Sequence, residues 1–166
     1  PVINLAGSDA VKLAFIQAFS YAFILISILL WLILRSMKEV GIVLSPLILA
    51  GLITLAASVV FSIPFNFANI IALPLLLGIG VDSALHILHR YKTALPDNGN
   101  LLQTSTARAV FFSALTTMVS FGNLATSTHA GTASMGVMLT IGVVSTLTCT
   151  LLVLPALLKQ FLPVAR

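Results

Sequence analysis

Charge is what this chain most lacks. Only 7% of its residues are charged, against about 25% in an ordinary soluble domain. Hydrophobic residues make up 59%, and the mean hydropathy is +1.15. Those values exclude a soluble fold and point to an integral membrane domain. Acidic residues are scarcest of all: Asp9, Glu39, Asp82 and Asp97 are the whole set. The single cysteine, Cys149, excludes an intrachain disulfide. A basic start, short apolar stretch and small-residue cleavage site are missing at the N-terminus, as is an initiating Met. The chain of 166 residues therefore reads as a single transmembrane domain, residues 1–166, cut from a longer protein.

Five apolar runs are present, separated by charged or turn-forming residues. They are expected at 13–34, 40–61, 67–88, 109–126 and 133–158. Ser8 and Asp9 read as helix caps before the first. Basic residues alternate between the connections. Arg35 and Lys38 separate spans one and two, Arg90, Lys92 and Arg108 separate three and four, and Lys159 and Arg166 follow five. The other connections carry no Lys or Arg, and only Lys12 falls on their side. By the positive-inside rule the N-terminus is periplasmic and the C-terminus cytoplasmic. The net charge of +4 is thus a topology signal, and no nucleic-acid partner is expected. Pro96-Asp97-Asn98-Gly99 marks a turn, and Leu101–Arg108 is expected as a short surface helix before span four.

Asp82 is the only acidic residue in an apolar run of about 22 positions, long enough to cross a bilayer core. A carboxylate there must be protonated, paired or beside water, which makes it a functional-site candidate. Low dielectric favours its neutral form. On a helix, Gly78, Asp82, His86 and His89 share one face. His86 and His89 extend that face toward the cytoplasm, either as a proton path or as interfacial imidazoles. Gly78 and Gly80 allow close approach of a neighbouring helix one turn above the carboxylate. Pro74 is expected to kink span three by freeing the Ile70 carbonyl. His86 and His89 lack further ligands nearby, so no metal site is expected.

Span four carries Thr106, Ser113, Thr116, Thr117, Ser120, Asn123 and Ser127 on an arc of roughly 120°. Such a stripe must face protein or water, and the Asp82 face of span three is its expected partner. Its role is either interhelical hydrogen bonding or a direct part in a relay. Gly131, Ser134, Gly136, Gly142 and Ser145 make span five a close-packing helix. Tyr21 and Trp31 read as interface anchors, and Asn66 and Asn69 as caps of span three.

The runs Asn66-Phe67-Ala68-Asn69-Ile70-Ile71-Ala72-Leu73-Pro74, Gly78-Ile79-Gly80-Val81-Asp82-Ser83 and His86 to Arg90 resemble the resistance-nodulation-division (RND) superfamily. So do Arg108-Ala109-Val110, Ser113-Ala114-Leu115-Thr116-Thr117, Gly131 to Gly136 and Leu154-Pro155-Ala156-Leu157-Leu158. The likeness covers essentially the whole chain. It is similar in particular to the MmpL-like branch and its hopanoid-associated members. The resemblance implies an all-α transporter of two six-span repeats, each with a periplasmic domain after its first span. This chain would be spans eight to twelve. Asp82 would be the proton-relay acid, with Ser113 or Thr116 the hydroxyl beside it; Thr117 and His86, from the helical faces above, are the further relay candidates. The relay partner would lie on the missing N-terminal transmembrane half. The energy source would be the proton gradient, with no cofactor. Two positions depart from family patterns: span three has no central Lys, and Ser83 stands where mycolic-lipid relatives often have Tyr.

The implied activity is proton-driven export of a hopanoid or similar lipid from the bacterial inner membrane; relatives range from monomers to trimers, and a homodimer is the expected partner state. Export of another hydrophobic cargo, such as a drug or fatty acid, is the alternative within transport. Outside transport the alternative is a lipid-sensing domain like the sterol-sensing relatives. An intramembrane aspartyl protease is disfavoured by the spacing and by the lack of a second Asp in any other span.

Overall fold

The computed structural model describes residues 2–63, 66, 71–93 and 101–162, without the side chains of residues 2–12 and 15. Every regular element among them is helical. The elements are α1 (Val2–Leu34), α2 (Met37–Val60), α3 (Ala72–Thr93), α4 (Ser105–Leu124), α5 (Ala130–Thr148) and α6 (Leu154–Phe161). A single 3₁₀ turn, Leu101–Gln103, precedes α4. A π turn, Cys149–Val153, joins α5 to α6, so one long helical rod runs over Ala130–Phe161. The chain is a multi-pass membrane protein: Ile16–Leu34, Met37–Val60, Ala72–Thr93 and Ala130–Phe161 are each long and apolar enough to cross a bilayer. The fifth expected span, α4, has 20 residues, about 30 Å at 1.5 Å per residue. Its Ser, Thr and Asn face keeps its hydropathy below that of the other four.

Several boundaries differ from the sequence reading. Ser8 and Asp9 do not cap α1, because the helix already runs from Val2. Its 33 residues make a rod of about 50 Å, longer than a hydrocarbon core of about 30 Å. The segment expected as a surface helix is instead the 3₁₀ turn followed directly by α4. Thr104 caps that helix, accepting from the Ala107 N–H at 3.2 Å. Asn69 and the Ile70 carbonyl lie outside the described residues. Pro74 is the third residue of α3 as described, so the kink expected at the Ile70 carbonyl falls on residues outside the described ones. Two further prolines stand in helical segments. Pro46 sits inside α2, and Pro155 follows the π turn. A proline ring clashes with the carbonyl four residues back, here Leu151, and the wider π turn accommodates it.

Packing follows narrow seams. Along α1, Phe19, Phe23, Ile26, Leu30 and Leu34 recur every three or four residues and meet the core; most other described apolar residues of α1 are exposed. One core cluster surrounds Leu30, Val43, Ile87, Leu88, Leu154 and Leu158. A second joins Ala72, Leu73 and Leu76 of α3 to Met138, Leu139 and Val143 of α5. Glycine makes the second possible: a Cβ on Gly142 would collide with Leu76. The basic end of the bundle is tied by Lys92 to Glu39 at 2.7 Å and by Tyr91 Oη donating to the Leu162 carbonyl at 2.8 Å. At the opposite end Asn66 Nδ2 donates to Ser134 Oγ at 2.7 Å.

Candidate functional site

Asp82 lies midway along α3, ten residues after Ala72 and eleven before Thr93. The buried residues of that helix, Leu73, Leu76, Leu77, Gly80, Ala84, Ile87, Leu88 and Tyr91, form its inner face. Gly78, Asp82, His86 and His89 form the outer one, and all four are exposed. The expected common face is therefore present, and it points away from the bundle. Asp82 and His86 side chains are 78% and 65% exposed. The stripe of span four, expected to face the carboxylate, thus leaves most of it uncovered.

The cause is the course of α4. It packs chiefly along α5 and much less along α3. A Cβ on Gly136 would strike the backbone of Leu124 and Ala125, so this glycine lets the end of α4 sit directly on α5. The first part of α4 lies beside the Asp82 face of α3. There the two helices enclose a cleft of about 400 Å³ lined by Asp82, Ser83, His86, Ser105, Thr106, Ala109, Val110 and Ser113.

Inside the cleft, His86 Nε2 stands 3.5 Å from Asp82 Oδ1, one helical turn away. Among the described residues no Lys or Arg is within ion-pair distance of Asp82. Ser83 Oγ donates to its own helix at the Ile79 carbonyl, 3.2 Å away. Asp82, His86 and Ser113, all three predicted as relay residues, thus share one cavity. Thr116 and Thr117 do not line it. Their hydroxyls donate back to Phe112 O at 3.0 Å and Ser113 O at 2.9 Å. Ser120 does the same to Thr116 O at 2.9 Å. The polar stripe therefore meets the Asp82 face only at its start, and beyond that satisfies itself while its outer edge stays largely uncovered.

The two glycines act differently from the expectation. A Cβ on Gly78 would meet nothing within 4 Å, so nothing in this chain packs there. A Cβ on Gly80 would come within 2.5 Å of Leu47 Cδ2 and 2.8 Å of Thr146 Cγ2. The close approach is thus real but lies on the opposite face from the carboxylate, where α2 and α5 pass.

Sequence reading missed Ser105, Ala109 and Val110 as cleft walls, and it missed the Glu39–Lys92 pair. Both were open to a simple signal. Antiparallel neighbours place the start of one helix beside the end of the other, so Ser105 faces His86 and Glu39 faces Lys92. Chemically, the cleft holds a carboxyl and an imidazole one turn apart, with hydroxyls opposite and room for water. That set can exchange a proton between Asp82 and His86.

Comparison with known proteins gives a family. The MMPL family model matches residues 6–161. "Hopanoid transporter HpnN" of Rhodopseudomonas palustris (strain TIE-1) is 46% identical over 160 residues, covering 96% of this chain and 18% of that protein. The protein of the same name from Burkholderia multivorans (strain ATCC 17616 / 249) is 41% identical over 152 residues, covering 92% of this chain and 16% of that protein. The chain thus spans less than a fifth of the length of these curated relatives.

Proposed function

The chain belongs to the MMPL family, and from that premise we propose that it is part of the membrane domain of a proton-driven RND-type lipid exporter. Asp82 is the group that takes up and releases the proton. The cargo is a hopanoid or a similar lipid, by similarity to the two relatives named for that transport. Export runs from the bacterial inner membrane toward the outer membrane, with the basic end of the bundle in the cytoplasm.

One observation carries this reading: a carboxylate halfway along a membrane helix stands bare on the face this chain leaves uncovered. An ionised Asp cannot face lipid at that depth without a large cost. Another part of a longer protein, the N-terminal transmembrane half in this reading, covers the face and supplies the partner. Protonated, Asp82 tolerates an apolar surrounding; ionised, it demands water or a hydrogen-bond donor. Alternation between those demands couples proton passage to helix movement, and His86 lies on the route to the basic end. Periplasmic domains outside this chain carry the lipid onward, and the full protein works as a homodimer.

The test is hopanoid reaching the outer membrane in cells whose full-length protein carries Asp82→Asn, at matched protein level. Loss of export is expected. Unchanged export would remove Asp82 from energy coupling.

That outcome would favour a second reading, a lipid-sensing membrane domain. An apolar cavity of about 360 Å³ supports it, walled by Phe19 and Phe23 of α1, Leu47 and Leu55 of α2, and Leu73 and Leu76 of α3.

A further inference from the structure

A second groove opens at the basic end of the bundle, away from Asp82. It has a volume of about 490 Å³ and is lined by Lys38, Gly41, Ile42 and Ser45 of α2 and by Leu157 and Phe161 of α6. The α2 residues are spaced i, i+3, i+4, i+7, so they form one strip along the helix, about 10 Å long. The two α6 residues, one turn apart, make the facing wall.

The strip is charged at its mouth and apolar within. Lys38 is exposed, and among the described residues no carboxylate pairs with it. Among the described side chains the acids are Glu39 and Asp82; Lys92 holds the first and the second stands by His86. The adjacent Glu39 therefore does not neutralise Lys38. Arg35, exposed in the connector before α2, adds a second cation at the same end with no ion-pair partner among the described residues.

Deeper in, a Cβ on Gly41 would meet nothing within 4 Å. The fold leaves that space open. Pro46 has no N–H for the Ile42 carbonyl, and Ser45 Oγ takes its place as donor at 3.1 Å. The one polar group that the proline would have bared inside the groove is thus satisfied. What remains is Ile42, Leu157 and the Phe161 ring.

A cation above a narrow apolar trough matches one occupant by charge and shape. We propose that the groove holds an anionic phospholipid of the leaflet at the basic end. Its phosphodiester sits against Lys38, and the upper part of one acyl chain lies between Gly41 and Leu157. A zwitterionic lipid fills the trough equally well but gains little from Lys38, because its own cation offsets the phosphate. This inference is independent of Asp82 and of the export reading.

The test uses the full-length protein in nanodiscs with a photoactivatable diazirine acyl chain on either phosphatidylglycerol or phosphatidylcholine. Crosslinked peptides are mapped by mass spectrometry. Phosphatidylglycerol is expected to label residues 38–45 and 157–161 about fivefold more than phosphatidylcholine, the preference one basic residue gives near a membrane surface. Lys38→Gln, a change at an exposed position, should abolish that preference. Gly41→Leu, which fills the trough and keeps the charge, should remove labelling by both lipids. Equal labelling of the wild type by the two lipids would overturn the proposal, leaving ordinary apolar contact. Absence of labelling would overturn it too, because another segment of the full-length chain or a second copy then covers the groove.

Discussion

Lys92 Nζ, in the last turn of α3, donates to both carboxylate oxygens of Glu39 in the first turn of α2, at 2.7 and 2.9 Å. Two of the rare charges in this chain are spent on joining neighbouring helices at one end. The pair is asymmetric. The Glu39 side chain is 11% exposed, whereas that of Lys92 is 44% exposed. Removing the lysine strands a buried carboxylate, while removing the acid frees an ammonium that can reach water.

Lys92→Met is therefore expected to destabilise the protein by about 2 kcal/mol, the scale for leaving a buried polar group without its partner. Glu39→Gln should cost only about 1 kcal/mol. The double variant should resemble Glu39→Gln. Thermal unfolding of the detergent-solubilised full-length protein measures all three, and equal losses for the two single variants would show the pair to be a plain surface contact.

Gly78 and Gly80 should part company on substitution. Gly80→Leu must displace Leu47 and Thr146 and is expected to destabilise the bundle by about 1–3 kcal/mol, the usual cost of overpacking. Gly78→Leu meets no atom of this chain and should leave the bundle intact. In the full-length protein it should nevertheless lower lipid export if another segment covers the Asp82 face. Normal export by Gly78→Leu would mean that this face stays open in the working protein.

His86→Gln removes the only charge-capable neighbour of Asp82 among the described residues. Export is expected to fall about tenfold, at the lower edge of what a positioned proton carrier contributes, with the unfolding temperature unchanged. Ser113→Ala, across the cleft, should have a smaller effect in the same direction. An export rate untouched by His86→Gln would make the imidazole a bystander.

Pro155→Ala should bring little stability. A proline in a regular helix interior costs about 3 kcal/mol, and its replacement ordinarily recovers that. Here the Cys149–Val153 π turn already accommodates the ring. The expected change is below 1 kcal/mol, read from the same thermal unfolding. A full recovery would show that the clash persists in the folded protein.

Ser62 adopts φ 52° just after α2, a left-handed conformation that glycine occupies without a Cβ penalty. Its neighbourhood closes the helix, with the Ile63 N–H donating to the Ser58 carbonyl at 2.8 Å. Ser62→Gly should keep that turn and raise stability by about 0.5–1 kcal/mol, again seen in thermal unfolding.

Much of this was legible in the residues themselves. Length, apolar runs and the shortage of charge determined an all-helical membrane domain, because an unpaired backbone cannot stand in lipid. Helical periodicity alone grouped Gly78, Asp82, His86 and His89, since residues on one rigid helix keep their relative directions. The family, too, was readable from the ordered motifs of spans three to five. What only the tertiary structure decided is which way each face points. Glycine at Gly136 draws α4 onto α5, glycine at Gly80 draws α2 and α5 onto the inner side of α3, and the carboxylate is left outside. Periodicity carries no information on which neighbour wins a given face, because that depends on the fit of side chains far apart in sequence. The same holds for Pro46, Pro155 and the Glu39–Lys92 pair. Each is an ordinary residue by local rules and acquires its role only from what packs beside it.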